Sequence, residues 1–214
     1  MATKNYVKPA YISDTAITFS FGSEISDKIS GIVLSIYRAA QNQKLVGKWG
    51  ILDMVPGYNE LAFYLDTANA EVSKITEWVN KLPENLIKES DKTATEPIVF
   101  MVKYNGADLD RVAEYCKLSV RDIIELHTSP VYTVAIVGFL PHFPYLLGLP
   151  AALQTPRLES PRKSVPAGSV AIAGLQAGVY PSVSPGGWNL LGLTDHEQLK
   201  TIVPGDRIVF KEIV

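Results

Sequence analysis

The stretch VPAGSVAIAGLQAGVYPSVSPGGW, Val165 to Trp188, decides how the second half of the chain folds. Its apolar runs are short, and each one ends in a breaker: Pro166-Ala167-Gly168, Gly174, Pro181, then Pro185-Gly186-Gly187. Runs this brief are too short for helices, and breakers this dense describe short strands joined by tight turns. The closing VPGDRIVF, Val203 to Phe210, repeats the texture. Short strands at regular spacing predict a barrel or a sandwich after Val131.

Immediately upstream lies VGFLPHFPYLLGLP, Val137 to Pro150, with Pro141, Pro144 and Pro150 set among Phe139, Phe143, Tyr145, Leu146 and Leu147. Proline at that spacing breaks a helix, because each ring removes a donor and clashes with the previous turn. It is equally foreign to a central strand. The segment is therefore expected to be irregular. An irregular apolar segment needs partners for its backbone groups, so a stiff aromatic wall over a pocket, or a seam against a partner, is expected in preference to plain core.

The N-terminal half has a different texture. AITFSF (Ala16 to Phe21) alternates as a half-buried strand. Ile29, Ile32, Val33, Ile36, Tyr37 and Ala40 mark one face of a helix behind Ser26, a plausible N-cap. WGILDM and ELAFYLD flank Pro56-Gly57-Tyr58-Asn59 as a hairpin. Val72, Ile75, Val79 and Leu82, with Trp78 at the edge, mark a second helix that Pro83 stops. The order β-α-β-β-α predicts an antiparallel sheet with two helices on one face. The polar, aperiodic segment 83–96 is expected to be a linker, which gives an α+β domain over 1–92 and a second domain over 93–214. The second domain opens with IVFMVKY, apolar on both faces and so expected to be central. Two short helices follow, behind Asp108 and Ser119 as N-caps.

The totals narrow the function. The chain has 214 residues, a net charge of −2 from 20 basic and 22 acidic residues, and 47% hydrophobic residues. No basic field draws in nucleic acid or an anionic membrane. No run approaches the roughly 18 apolar residues of a membrane span, and the N-terminus lacks a signal-peptide core. A cytoplasmic setting is expected. The one cysteine, Cys116, excludes an internal disulfide and a multi-cysteine metal site. There is no phosphate loop, no dinucleotide fingerprint and no nucleophile elbow, and His127, His142 and His196 lack metal-ligand spacing.

Several residues carry candidate chemistry. His127 ends a helix on its apolar face and is either a proton shuttle or a capping or core histidine. Arg157, Arg162 and Lys163 follow two proline turns that limit the freedom lost when an anion is gripped. Ser169 in the PAGS turn and Gly186 and Gly187 in SPGGW sit where backbone N–H groups can meet an oxyanion, or where a corner needs glycine with positive φ. Gln176 is placed to hydrogen-bond an amide or lactam, Trp188 to floor a site or fill core, and Phe143 and Tyr145 to line its wall.

GFLPHFPYLLGLP, TPRLESPRKSVPAGSVAIAG, QAGVYPSVSPGGWNLLG and the closing PGDRIVF occur in this order with compact spacing. Together they resemble the carboxyltransferase-type family known as allophanate hydrolase subunit 1. FGSEI at the start of the first helix and VPGYNEL in the hairpin extend the resemblance over nearly the whole chain. The family includes the B subunit of prokaryotic 5-oxoprolinase and the sporulation-kinase inhibitor KipI. The resemblance implies a small α+β domain followed by an all-β cyclophilin-like barrel. It also implies homologous partners, a related C subunit with a separate A subunit of the same complex. Together these open 5-oxo-L-proline to L-glutamate with ATP held by the complex, and the chain alone is expected to turn nothing over. The resemblance gives His127 a counterpart in the family's LH-[ST] position. The alternatives it implies are a KipI-like inhibitor of a histidine kinase and a urea or allophanate carboxyltransferase component. No biotin-attachment segment is present. The chain departs from the family pattern at His142 (usually Gly), Ala177 (Thr), Leu193 (Arg) and Asp195 (Pro).

Overall fold

The computed structural model describes residues 7–83 and 96–213. Residues 84–95, most of the expected linker, lie outside the described residues. The chain divides into two compact units, Met1–Ala94 and Thr95–Val214.

The first unit runs β1 (Ala10–Ser13), β2 (Ala16–Ser20), α1 (Asp27–Asn42), β3 (Ile51–Pro56), β4 (Glu60–Leu65) and α2 (Val72–Lys81). The strands form one antiparallel sheet in the order β1-β2-β4-β3. Period-2 alternation sends Ile17 and Phe19 of β2 and Leu61 and Phe63 of β4 into one core. There they meet Val33, Ile36 and Ala40 of α1 and Ile75 and Val79 of α2. Ser26 caps α1 as expected, its side chain accepting from Ile29 N–H at 3.3 Å. Strand β1 carries no buried face, since all four of its residues are exposed, and so no alternation announces it.

The second unit contains β5 (Ile98–Lys103), α3 (Leu109–Cys116), α4 (Val120–Thr128), β6 (Tyr132–Val137), β7 (Pro144–Leu147), β8 (Arg162–Val165), β9 (Ser169–Ala173), β10 (Gln176–Val179), β11 (Ser184–Gly186), β12 (Asn189–Thr194) and β13 (Arg207–Glu212). Seven strands close into a barrel in the order β10-β7-β6-β13-β5-β12-β9, while β8 and β11 pair as a separate ribbon. All the barrel pairs are antiparallel except β5 with β13, which is parallel from Ile98↔Ile208 to Val102↔Glu212. Phe100, Val134, Leu146, Val170, Leu191 and Phe210 fill the barrel core, with Val112 of α3 and Ile123 of α4 packed onto it.

Strand β5 has the central place expected of it, while VGFLPHFPYLLGLP departs in part from its expected irregularity. Only Phe100 and Val102 of β5 face inward, while Val99 and Met101 are 37% and 45% exposed. In a closed barrel even a central strand keeps one face outside. VGFLPHFPYLLGLP is regular only in part: Val137 ends one strand and Pro144–Leu147 form another, while residues 138–143 and 148–150 lie outside strands. Tyr132–Val137 and Pro144–Leu147 are paired strands, and β7 pairs on both sides, with β6 and β10. Pro144 is tolerated because it begins its strand. Phe143, Leu146 and Leu147 are buried as core, and of the aromatic side chains only Phe139 stands well out, 66% exposed. The turn between the strands holds Phe139 at φ 70° and His142 at φ 68°. His142 is exposed and occupies a left-handed position where the family pattern has glycine.

Candidate functional site

In the second unit, residues from four segments meet. Phe143 lies edge-on to Tyr180 at 5.1 Å and to Trp188 at 5.6 Å, and Tyr145 packs on Phe143 at 5.0 Å and on Trp188 at 5.8 Å. Phe139 extends the group outward, 5.7 Å from Phe143. Edge-to-face packing of this kind makes a rigid floor, because the rings interlock without sharing one plane. Burial raises the pKa of Tyr180 and Tyr145, and nearby Arg157 opposes the rise in both. Both phenols are therefore neutral hydrogen-bonding groups at physiological pH.

Arg157 is exposed and holds its guanidinium 5.9 Å above the Trp188 ring, within cation–π range. It makes no ion pair among the described residues. Arg162, on β8, donates from Nη2 to Asp108 Oδ1 at 2.6 Å. Asp108 Oδ2 accepts the Leu190 N–H at 2.7 Å. The other terminal nitrogen of Arg162, Nη1, is buried without a hydrogen-bond partner among the described residues. Such an atom is costly in plain core and recurs at functional sites. Asn189, completely buried, accepts from Arg111 Nη1 and donates to the Pro156 carbonyl at 3.0 Å and the Ile172 carbonyl at 3.2 Å.

Seven of the sequence-predicted residues belong to this assembly: Arg157, Arg162, Phe143, Tyr145, Gly186, Gly187 and Trp188. The glycines serve it differently from expectation. Neither has a positive φ, which in these turns belongs to Gly168 at φ 79°. Gly186 is needed because a Cβ there would overlap the Tyr180 hydroxyl. Gly187 accepts the Leu158 N–H at 2.8 Å, which fastens the loop carrying Arg157.

Four other predicted residues lie apart from the cluster. Ser169 is buried and donates its hydroxyl to the Pro166 carbonyl at 2.8 Å, so it serves its own turn. Gln176 opens β10 half-buried, and Lys163 is exposed on β8. His127 is completely buried, with its Nδ1 2.7 Å from the Tyr104 hydroxyl and its ring 4.7 Å from that of Phe210. Burial pushes its pKa down to about 3, so it stays neutral inside the core, out of reach of solvent. The burial matches a core histidine, while its Nε2, like Nη1 of Arg162, is buried without a hydrogen-bond partner among the described residues.

Sequence reasoning did not find Tyr180, Asp108, Arg111 or Asn189. Asp108 reads as an N-cap for α3, yet its side chain makes no capping bond and turns instead to Arg162 and Leu190. Its partners lie 54 and 82 residues away, a separation that no local pattern reports. Among the described residues no group of three or more His, Cys, Asp or Glu side chains is placed to hold a metal ion. No helix among them is long and apolar enough to cross a membrane.

The fold is that of a carboxyltransferase-type module, and the chain belongs to the family described as carboxyltransferase domain, subdomain C and D, whose model matches residues 7–200. It is 36% identical over 195 residues to the 5-oxoprolinase B subunit of Bacillus subtilis, covering 86% of this chain and 80% of that protein. It is 38% identical over 185 residues to the 5-oxoprolinase B subunit of Escherichia coli O157:H7, covering 82% and 83%. Among solved structures, TTHA0988 superposes with a TM-score of 0.80 at 33% identity. That match takes in 93% of this chain, which spans only 40% of the longer one.

Proposed function

We propose that this chain is the B subunit of an ATP-dependent 5-oxoprolinase and that the Arg157–Trp188 cluster is where it meets 5-oxo-L-proline. The ligand is a small planar lactam bearing a carboxylate. A planar ring matches the aromatic surface at Tyr145 and Phe139, and a carboxylate matches the unpaired guanidinium of Arg157. The observation that carries the reading is this union of an exposed cation and an interlocked aromatic floor, in a chain whose relatives bear that subunit's name. Net opening of the ring adds water across the amide bond: the carbonyl carbon gains a hydroxyl and the nitrogen gains a proton. ATP hydrolysis drives the opening and is assigned to the complex formed with the C and A subunits, since the sequence carries no phosphate loop.

Co-expression with the C and A subunits tests the proposal. The isolated chain should release no glutamate from 5-oxo-L-proline, and the complex should do so only with ATP. Trp188→Ala should lower kcat/KM of the complex by about tenfold or more. Full turnover by the chain alone overturns its assignment as one part of a complex. Unchanged kcat/KM in the variant overturns the site. Inhibition of a histidine kinase, or carboxyl transfer to urea, in place of lactam opening would favour the two other family roles.

A further inference from the structure

The loop that bears Arg157 is fastened at both of its neighbours, to the two residues that flank Trp188 on one facing segment. Pro156 gives its carbonyl to Asn189 Nδ2 at 3.0 Å, and Leu158 gives its N–H to the Gly187 carbonyl at 2.8 Å. Between these two pins Arg157 faces Trp188. Thus 156, 157 and 158 oppose 189, 188 and 187 in order. The Gly187 pin is backbone to backbone and indifferent to side chains, whereas the Asn189 pin is a side-chain amide with no exposure. That amide is itself oriented, because Arg111 donates to its oxygen and the Ile172 carbonyl takes its second N–H. With its oxygen held by a cation and its nitrogen shared between two carbonyls, the amide has one arrangement that satisfies every partner.

We infer that Asn189 is a positioning residue: it fixes Arg157 over Trp188 so that this arginine selects ligands bearing a carboxylate over neutral lactams. An exposed arginine on an unpinned loop samples many rotamers and loses that freedom on binding, whereas a pinned one has lost much of it beforehand. Selection for the carboxylate therefore depends on Asn189 although Asn189 touches no ligand. The inference deepens the function proposed above and rests on its placement of the ligand site.

The test follows the Trp188 indole N–H and the Arg157 Nε–H of the full chain by NMR during titration with 5-oxo-L-proline, with acetate and with neutral 2-pyrrolidinone. The wild type should bind 5-oxo-L-proline about tenfold or more tighter than 2-pyrrolidinone, the range of one charge-assisted hydrogen bond. Arg157→Gln should erase that preference. Asn189→Ala should erase most of it, and the double variant should do no worse than Arg157→Gln alone, because both changes remove one function. Asn189→Asp keeps the acceptor for Arg111 while losing the donor to both Pro156 and Ile172, so it repeats the test in a chain that retains the pairing with Arg111. Full preference in either Asn189 variant, or additive losses in the double variant, overturns the inference. So does a wild type whose Trp188 signal responds to no carboxylate. If acetate binds in an Arg157- and Asn189-dependent way while 5-oxo-L-proline does not, the positioning role stands and the 5-oxoprolinase reading falls.

Discussion

His127 shows how burial changes what a residue can do. A free histidine titrates near 6.5, and this one is pushed down to about 3 by desolvation alone. Between those values the unfolded chain binds a proton that the folded chain refuses, so stability is complete above about pH 6.5 and falls as the pH drops. The slope contributed by one such group reaches at most about 1.4 kcal/mol per pH unit. Urea denaturation from pH 7 to pH 4 should show that loss in the wild type. In His127→Phe, which keeps a ring against Tyr132 and Phe210, this part of the slope should be absent; equal slopes in the two proteins would mean that the imidazole is protonated in the fold. His142 is the opposite case, an exposed side chain at φ 68°. A left-handed backbone costs a non-glycine residue about 1–2 kcal/mol, partly offset by the greater unfolded-state entropy of glycine. His142→Gly should therefore raise stability by up to about 1 kcal/mol and leave ligand affinity unchanged; a lower denaturation midpoint would refute this account of the turn.

At the scale of elements, α3 and α4 look alike in sequence and are held differently. Ser119 and Asp122 form a complete capping box, with Asp122 N–H donating to Ser119 Oγ at 3.1 Å and Ser119 N–H to Asp122 Oδ2 at 3.0 Å. Ser119→Ala should cost about 1 kcal/mol, the usual worth of a cap. Asp108 makes no cap, but it closes a largely buried pair with Arg162 and satisfies a buried N–H on β12. Asp108→Ala strands both partners and should cost about 3 kcal/mol or more. Chemical denaturation of the two variants would decide; equal costs would mean that the Asp108 pairing contributes no more than a cap. Legibility follows the same division. Helices, hairpins and the Ser26 and Ser119 caps could be read because their signals lie within a few residues. The role of Asp108 could not, since its position is equally suited to a cap and only the fold brings β8 and β12 beside it. Strand β7 was hidden for a related reason: three prolines suggested irregularity, and whether a proline starts a strand or interrupts one depends on pairing.

Over the whole molecule, the polar segment 83–96 marked the break between two patterns, and Gly- and Pro-punctuated strands after Val131 marked a closed or stacked sheet. Closure itself was not readable. It depends on the parallel pairing of Ile98–Lys103 with Arg207–Glu212, which joins the start of the second unit to its end. That pairing makes both ends of the unit structural members of the barrel, and it predicts how the unit responds to cutting. Each unit has its own apolar core, one built on Ile17, Phe19 and Phe63, the other on Phe100, Leu146 and Phe210. A unit of this size, Thr95–Val214, falls within the range in which one core sustains a fold. Expressed alone, residues 95–214 should therefore unfold in a single cooperative transition with the near-ultraviolet signature of packed Tyr132, Tyr180 and Trp188. Removing β13 as well, by ending the fragment at residue 203, should abolish that cooperativity, because β5 and β6 would then both lose a neighbour and the barrel would gain two edges. Cooperative unfolding of the shorter fragment would show that the β5–β13 pair is dispensable to the barrel. Absence of a transition in the longer one would show that the second unit cannot fold without the first.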